Sequence, residues 1–139
     1  MSLRFLLDTN VLSEPLRHVP NPRLLARLDR HIGTMGMAAP TWHELRFGCE
    51  RLPRSRRRDQ IEDYLATVVQ VDFPILPYDE EAAGWHARER ARLVARGGTP
   101  PLIDGQIAAI ASVNDLILVT ANASDFAVFE GLRIEDWSR

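Results

Sequence analysis

The stretch LRFLLDTN, residues 3–10, decides the fold of this chain. Its apolar centre, Phe5–Leu7, ends on Asp8, and a short apolar run followed by turn-forming residues is typical of a buried strand in a parallel sheet. Thr9 and Asn10 are good N-cap types, so a helix is predicted to begin directly after the strand. Asp8 is therefore expected at the carboxyl end of a strand, where open α/β sheets bind their ligands. This stretch alone leaves open the plainer interpretation that Asp8 only caps the helix.

The remaining chain alternates between short apolar runs and segments with helical spacing. Strands are predicted at 3–7, 35–39, 71–76, 116–120 and 132–134. Helices are predicted at 10–16, 22–32, 41–51, 55–70, 79–96 and 102–114, with a turn and a short helix at 122–129. Asn21 and Thr41 are the expected N-caps of the second and third helices, and Pro74 favours an edge position for the third strand. The pattern predicts one α/β domain over residues 1–139, with a parallel sheet covered on both faces.

Composition excludes several classes of protein. Hydrophobic residues make up 45% and charged residues 26% of the 139-residue chain, as is ordinary for a soluble globular domain. No apolar run reaches the roughly 18 residues that a membrane span needs, and the residues before Asp8 do not resemble a signal peptide. The single cysteine, Cys49, excludes an internal disulfide and a metal-binding cysteine pair. We therefore expect a cytoplasmic protein.

All 17 basic residues of the chain are arginines, although its net charge is −2. The absence of lysine excludes any mechanism that needs a lysine side chain. The arginines form two clusters, one at Arg51, Arg54 and 56–58 and the other at Arg88, Arg90, Arg92 and Arg96. These clusters are either solvated helix faces or phosphate-binding surfaces, for which the planar guanidinium is well suited.

Four acidic residues are predicted where strands end or helices begin. Asp8 follows the first strand, Glu44 lies in the first turn of the third helix, Asp104 is near the start of the helix at 102–114, and Asp125 follows the fourth strand. In a parallel sheet, all four positions can lie along the same carboxyl edge. Each acid has a plainer role, either as a cap or as a complement to a helix dipole.

A cluster of four acids at one edge would be costly, because like charges a few Å apart raise one another's pKa. A divalent cation would offset that cost, and an all-oxygen ligand set favours Mg²⁺ or Mn²⁺ over Zn²⁺. Gly105, beside Asp104, is unusual inside a helix, where glycine costs about 1 kcal/mol relative to alanine. It indicates a close approach, either by a backbone or ligand or by tight packing of the helix against the sheet.

Four segments together resemble a PIN domain, and more narrowly the VapC-type toxins of the FitB-like branch. They are LLDTNVLSEPLR at 6–17, the helix with Glu44, PLIDGQIAAIA at 101–111 and VTANASDF at 119–126. The resemblance extends over essentially the whole chain, in order and at suitable spacing. It implies a three-layer α/β/α fold with a five-stranded parallel sheet in the order 3-2-1-4-5.

The resemblance also implies a function and a set of site residues. Asp8, Glu44, Asp104 and Asp125 match the acidic quartet of the family, which is both catalytic and metal-binding, while Asn10, Thr120 and Asn122 match its supporting polar positions. The implied activity is that of a Mg²⁺- or Mn²⁺-dependent endoribonuclease, the toxin of a toxin–antitoxin pair, with tRNA as a common family target. The implied partners are a second copy of the chain and a small VapB- or FitA-like antitoxin.

Two other classes of protein compete with this interpretation. A phosphoaspartyl enzyme or a receiver-type domain also places an aspartate after the first strand, but the haloacid-dehalogenase-type motif needs a second aspartate where Asn10 stands, and both classes use a lysine. A non-catalytic PIN-like module would hold RNA or a protein partner without cutting. The presence of all four acids argues against such a module, and a test for metal-dependent turnover separates it from a nuclease.

Overall fold

The computed structural model describes residues 2–139 and contains one five-stranded sheet. The strand order is β3-β2-β1-β4-β5, and each neighbouring pair is parallel, which confirms the predicted α/β/α fold. The strands are β1 (Phe5–Leu7), β2 (Met35–Ala38), β3 (Ile75–Leu76), β4 (Ile117–Val119) and β5 (Ile134–Glu135).

Helices connect the strands and cover both faces of the sheet. They are α1 (Thr9–Leu12), a 3₁₀ turn (Glu14–Leu16), α2 (Pro22–Arg30), α3 (Ala39–Glu50), α4 (Arg56–Tyr64), a π-helical turn (Leu65–Val69), α5 (Gln70–Asp72), α6 (Glu80–Ala95), α7 (Leu102–Val113) and α8 (Ala123–Phe126). Within the described residues, none of these helices combines the length and the apolar character that a bilayer span requires.

The central strand β1 divides the core into two apolar clusters, because successive side chains of a strand point to opposite faces. Phe5 and Leu7 pack in the cluster that contains buried residues of α2 and α3. Leu6 packs on the other face, against the alanine- and isoleucine-rich side of α7. All three β1 side chains are at most 2% exposed, so the strand that carries Asp8 is fixed from both sides.

The third helix begins earlier than its sequence suggests. Its first residue is Ala39 and Pro40 lies in its first turn, where the missing N–H of proline costs no intrahelical hydrogen bond. The prediction that Thr41 is the N-cap is therefore wrong: Thr41 is buried inside α3, and Ala38 occupies the N-cap position. Glu44 consequently lies in the second turn of α3 rather than in its first.

The predicted strand at 71–76 is wrong in its first half. The helix that begins at Arg56 continues through the π-helical turn to Asp72, and β3 contains only Ile75 and Leu76. Burial of Leu65 and Val69 holds this turn in the core, and that packing outweighs the strand preference of an exposed Val71. The predicted edge position of the third strand is confirmed, since β3 pairs with β2 alone.

Smaller differences concern the ends and faces of other elements. The predicted helix at 10–16 divides into α1 and the 3₁₀ turn, and the fifth strand begins two residues later than expected. Phe47, although apolar, is 60% exposed on α3. The predicted N-cap at Asn21 is confirmed, because its side chain accepts hydrogen bonds from the backbone N–H groups of Arg23 and Leu24.

Candidate active site at the carboxyl edge of the sheet

Asp8 has both of the roles that its sequence context left open. It ends β1 at the carboxyl edge of the sheet and is also the N-cap of α1, where its Oδ1 accepts the Thr9 N–H at 2.9 Å. The Thr120 hydroxyl donates to the other carboxylate oxygen, Oδ2, at 2.8 Å. The residue is only 7% exposed, and this burial raises the pKa of the carboxyl group despite the two hydrogen bonds, which favour the charged form.

The three supporting residues act mainly on Asp8 and on the loop after β4. Thr120 is fully buried, and its hydroxyl also accepts the Asn122 backbone N–H at 3.0 Å. The Asn10 side-chain oxygen accepts the Ala121 N–H at 3.2 Å, which ties α1 to the same loop. Asn122 supports the loop through its backbone, since its side chain does not cap α8.

Asp104, in the first turn of α7, is electrostatically linked to the other three acids. Its pKa is raised first by desolvation and then by the negative charges of Asp8, Asp125 and Glu44, in that order. Asp104 and Asp125 also line one cavity of about 430 Å³. Glu44 is exposed on α3 and accepts a hydrogen bond from the Thr9 hydroxyl at 3.3 Å. The fold thus brings all four predicted acids into one region of negative charge.

The donor chemistry of this region suits a hard divalent cation, because its side chains offer carboxylate and hydroxyl oxygens. The match in geometry is partial. Across residues 2–139, no three Asp, Glu, His or Cys side chains converge closely enough to surround a metal ion. Mg²⁺ does not require such a cage, since proteins usually hold it with one or two carboxylates while it keeps several of its waters. The donor chemistry of the site therefore suits Mg²⁺ with part of its coordination left to water, and Asp104 and Asp125 share one cavity there.

The group that approaches Gly105 closely is a histidine ring, rather than a ligand or the sheet. A Cβ atom at this position would lie 2.2 Å from Nε2 of His86, which is 4% exposed on the neighbouring helix α6. The Tyr78 hydroxyl and His86 Nδ1 are 2.8 Å apart, within hydrogen-bond distance, which holds the ring in place. Gly105 therefore sets the spacing between α6 and α7 immediately beside Asp104.

Sequence reasoning missed two features of this edge of the sheet. The Thr9 hydroxyl bonds Glu44, although Thr9 was interpreted only as a helix opener. Arg17 and Arg57 line a second cavity, of about 300 Å³, together with Thr9 and Glu44. The sequence offered only a weak signal for the second feature, because Arg57 lies within a run of three arginines, and its neighbour Arg58 contacts Leu52 and Glu50 instead.

Comparison with known proteins confirms the fold and the resemblance to the PIN domain. The family model of the PIN domain matches residues 5–132. Toxin FitB of Neisseria gonorrhoeae is 37% identical over 132 residues, which cover 89% of this chain and 95% of that protein. The tRNA(fMet)-specific endonuclease VapC of Shigella flexneri is 32% identical over 137 residues, covering 98% of this chain and 99% of that protein.

Solved structures give the same assignment. The crystal structure of FitAcB from Neisseria gonorrhoeae superimposes with a TM-score of 0.87 at 33% identity, covering 96% of this chain and 97% of that one. The structure of DNA-bound VapBC from Salmonella typhimurium gives a TM-score of 0.85 at 29% identity, covering 97% of this chain and 98% of that one. The chain belongs to the PIN-domain family, among the FitB and VapC toxins.

Proposed function

We propose that this protein is a Mg²⁺- or Mn²⁺-dependent endoribonuclease and the toxin of a VapBC-like toxin–antitoxin system. The proposal is supported by the match to the PIN domain together with the positions of four acids: Asp8 follows β1, Asp104 and Asp125 line one cavity, and Glu44 is bonded by Thr9 beside Asp8. A fold gains no stability from gathering four repelling carboxylates. Such a cluster is useful where it binds a cation that takes part in chemistry on an anionic substrate.

Each acid has a defined part in the proposed mechanism. Asp8 and Asp104 would hold the cation directly, and Glu44 and Asp125 would complete its coordination, either directly or through water. When bound, the cation supplies a Lewis acid for the phosphodiester and lowers the pKa of the attacking water. Thr120 fixes the orientation of the Asp8 carboxylate through its 2.8 Å hydrogen bond, and Thr9 restrains Glu44 in the same way at 3.3 Å. Hydrolysis by water leaves a 5′-phosphate and a 3′-hydroxyl.

The proposed partners follow from the relatives and from solved complexes of the family. The relatives named as tRNA(fMet)-specific endonucleases make tRNA a reasonable substrate to test first. The complexes FitAB and VapBC support a cognate antitoxin that neutralises this chain. We further propose that the chain forms a homodimer, acts in the cytoplasm and constitutes a single PIN domain over residues 1–139.

Metal-dependent cleavage tests the proposed activity. We expect the purified protein, freed of antitoxin, to cut RNA in the presence of Mg²⁺, to stop when EDTA is added and to resume when excess Mn²⁺ is supplied. Electrophoresis of a labelled tRNA and a labelled mRNA, with end-group analysis of the products, measures both cleavage and its chemistry. Products with a 2′,3′-cyclic phosphate, or cleavage that persists in EDTA, would contradict metal-assisted hydrolysis. RNA binding without cleavage would indicate a non-catalytic module instead.

A further inference from the structure

The arginine cluster at 51–58 contains side chains with different roles. The Arg58 guanidinium donates to the Leu52 carbonyl at 2.9 Å and pairs with Glu50 at 3.3 Å, and its side chain is only 11% exposed. Arg58 is therefore occupied in joining α4 to the end of α3. Arg57 is exposed, and its Nη2 donates to the Leu16 carbonyl at 2.7 Å. This bond directs the Arg57 guanidinium toward the 3₁₀ turn that follows α1.

Arg57 shares the cavity of about 300 Å³ with Arg17, the residue that directly follows the 3₁₀ turn. Arg17 is 68% exposed, and its Nη1 lies 3.4 Å from the buried carboxylate of Glu14. Glu44 and Thr9 line the same cavity, so two arginines share it with one of the four acids. A guanidinium has five N–H donors, so one that uses a single N–H for a protein contact can still bind a phosphate through two parallel hydrogen bonds.

An acidic site that cuts a polyanion needs positive charge nearby, because the carboxylates repel every phosphate except the one next to the cation. We propose that Arg17 and Arg57 form a phosphate-binding subsite that holds the RNA backbone beside the scissile bond. This inference rests on the proposed function, since it names the substrate contact of the same site. RNA is favoured over a protein partner because the two arginines share their cavity with Glu44, one of the four acids of the proposed catalytic site.

RNA binding measures this subsite without requiring cleavage. The assay is the fluorescence anisotropy of a short fluorescein-labelled single-stranded RNA with the Asp104→Asn protein, at several salt concentrations. Adding Arg17→Ala and Arg57→Ala to that protein is expected to raise Kd about tenfold and to reduce the slope of log K against log salt by about 1.4, because each phosphate contact to a single strand contributes about 0.7. The single variant Arg17→Ala should give about half of that change in slope.

The matched control is the double variant Arg27→Ala and Arg30→Ala. These two arginines lie in the last turn of α2, whose C-terminal end faces the opposite edge of the sheet. Replacing both with alanine removes the same charge as the Arg17 and Arg57 substitutions. The control should leave Kd within about twofold, because its arginines precede β2 and therefore lie at the opposite edge of the sheet from the acids. Thermal unfolding identifies any variant in which loss of the Arg57–Leu16 bond has damaged the fold, and Arg17→Ala, which leaves that bond intact, then decides the question.

The outcomes separate this inference from the proposed function. If wild-type protein fails to cut RNA with Mg²⁺, the proposed activity is lost, but the binding comparison keeps its meaning. Equal affinities and equal salt slopes for the Arg17/Arg57 and Arg27/Arg30 variants would overturn the subsite, even if metal-dependent cleavage is observed. In that case the two arginines would be assigned to a protein interface.

Discussion

Asp104→Asn is expected to reduce RNA cleavage about a thousandfold while the protein stays folded. A bound cation contributes several kcal/mol of transition-state stabilisation, and about 4 kcal/mol corresponds to three powers of ten in rate. Asparagine keeps the size of the side chain but removes its negative charge. Single-turnover cleavage of labelled RNA at saturating Mg²⁺ measures the loss. Full activity in this variant would mean that Asp104 is not a ligand.

The same variant should be more stable than wild type when divalent cations are absent. The folded pKa of Asp104 is raised above its ordinary value of 3.8, so the folded state binds a proton more readily than the unfolded state does. By linkage, the stability of the wild type falls as pH rises above 3.8 through the raised pKa, and Asp104→Asn escapes this loss. The gain in Tm should be present at pH 7 and should shrink as pH falls toward 3.8.

Two further variants sharpen this result. Asp8→Asn should lose cleavage to a similar extent but gain less stability. The side-chain oxygen of asparagine can still accept the Thr9 N–H and cap α1. The amide nitrogen then takes the place of Oδ2, and it cannot accept a hydrogen bond from the Thr120 hydroxyl. Asp29→Asn is the control, because this exposed carboxylate lies near the end of α2, at the opposite edge of the sheet. It should leave cleavage unchanged.

Gly105→Ala is expected to lower the free energy of unfolding by about 2 kcal/mol, since overpacking costs up to about 3 kcal/mol and helix propensity returns about 1 kcal/mol. The added Cβ would lie 2.2 Å from Nε2 and 2.7 Å from Cδ2 of the His86 ring. The ring cannot easily retreat, because it is buried and bonded to Tyr78. Urea unfolding measures the change.

The control for this substitution is Gly48→Ala, also inside a helix. Apart from the chain neighbours and the nearby backbone of its own helix, no described atom lies within 4 Å of a Cβ at Gly48, so this variant should gain about 0.5–1 kcal/mol from helix propensity alone. Combining Gly105→Ala with His86→Ala should cost less than the sum of the two single changes, because the clash requires both groups. A Gly105→Ala protein as stable as wild type would show that α6 and α7 can separate without cost.

The elements that carry the site were predictable because their signals are local. The run before Asp8 is apolar without interruption, and the apolar fourth strand ends on Thr120, so each strand and its exit can be read from adjacent residues. The rule that parallel strands share one carboxyl edge then placed the acids together. The family resemblance supplied the strand order, which is not encoded in any local pattern.

The features that escaped prediction depend on contacts between distant segments. Pro40 reads as a helix breaker, yet it lies in the first turn of α3, where its missing N–H does no harm. The neighbour of Gly105 is His86, nineteen positions away in sequence and on another helix. Arg57 and Arg58 are adjacent in sequence, but one is exposed beside the acidic edge and the other is nearly buried.

Isothermal titration calorimetry with Mn²⁺ tests the central claim most directly, namely that acids from four segments of the chain bind a divalent cation. The account predicts saturable Mn²⁺ uptake by the wild type and by Asp29→Asn, and a marked loss of uptake in Asp104→Asn. Failure of the wild type to take up Mn²⁺, or an unchanged affinity in Asp104→Asn, would contradict it.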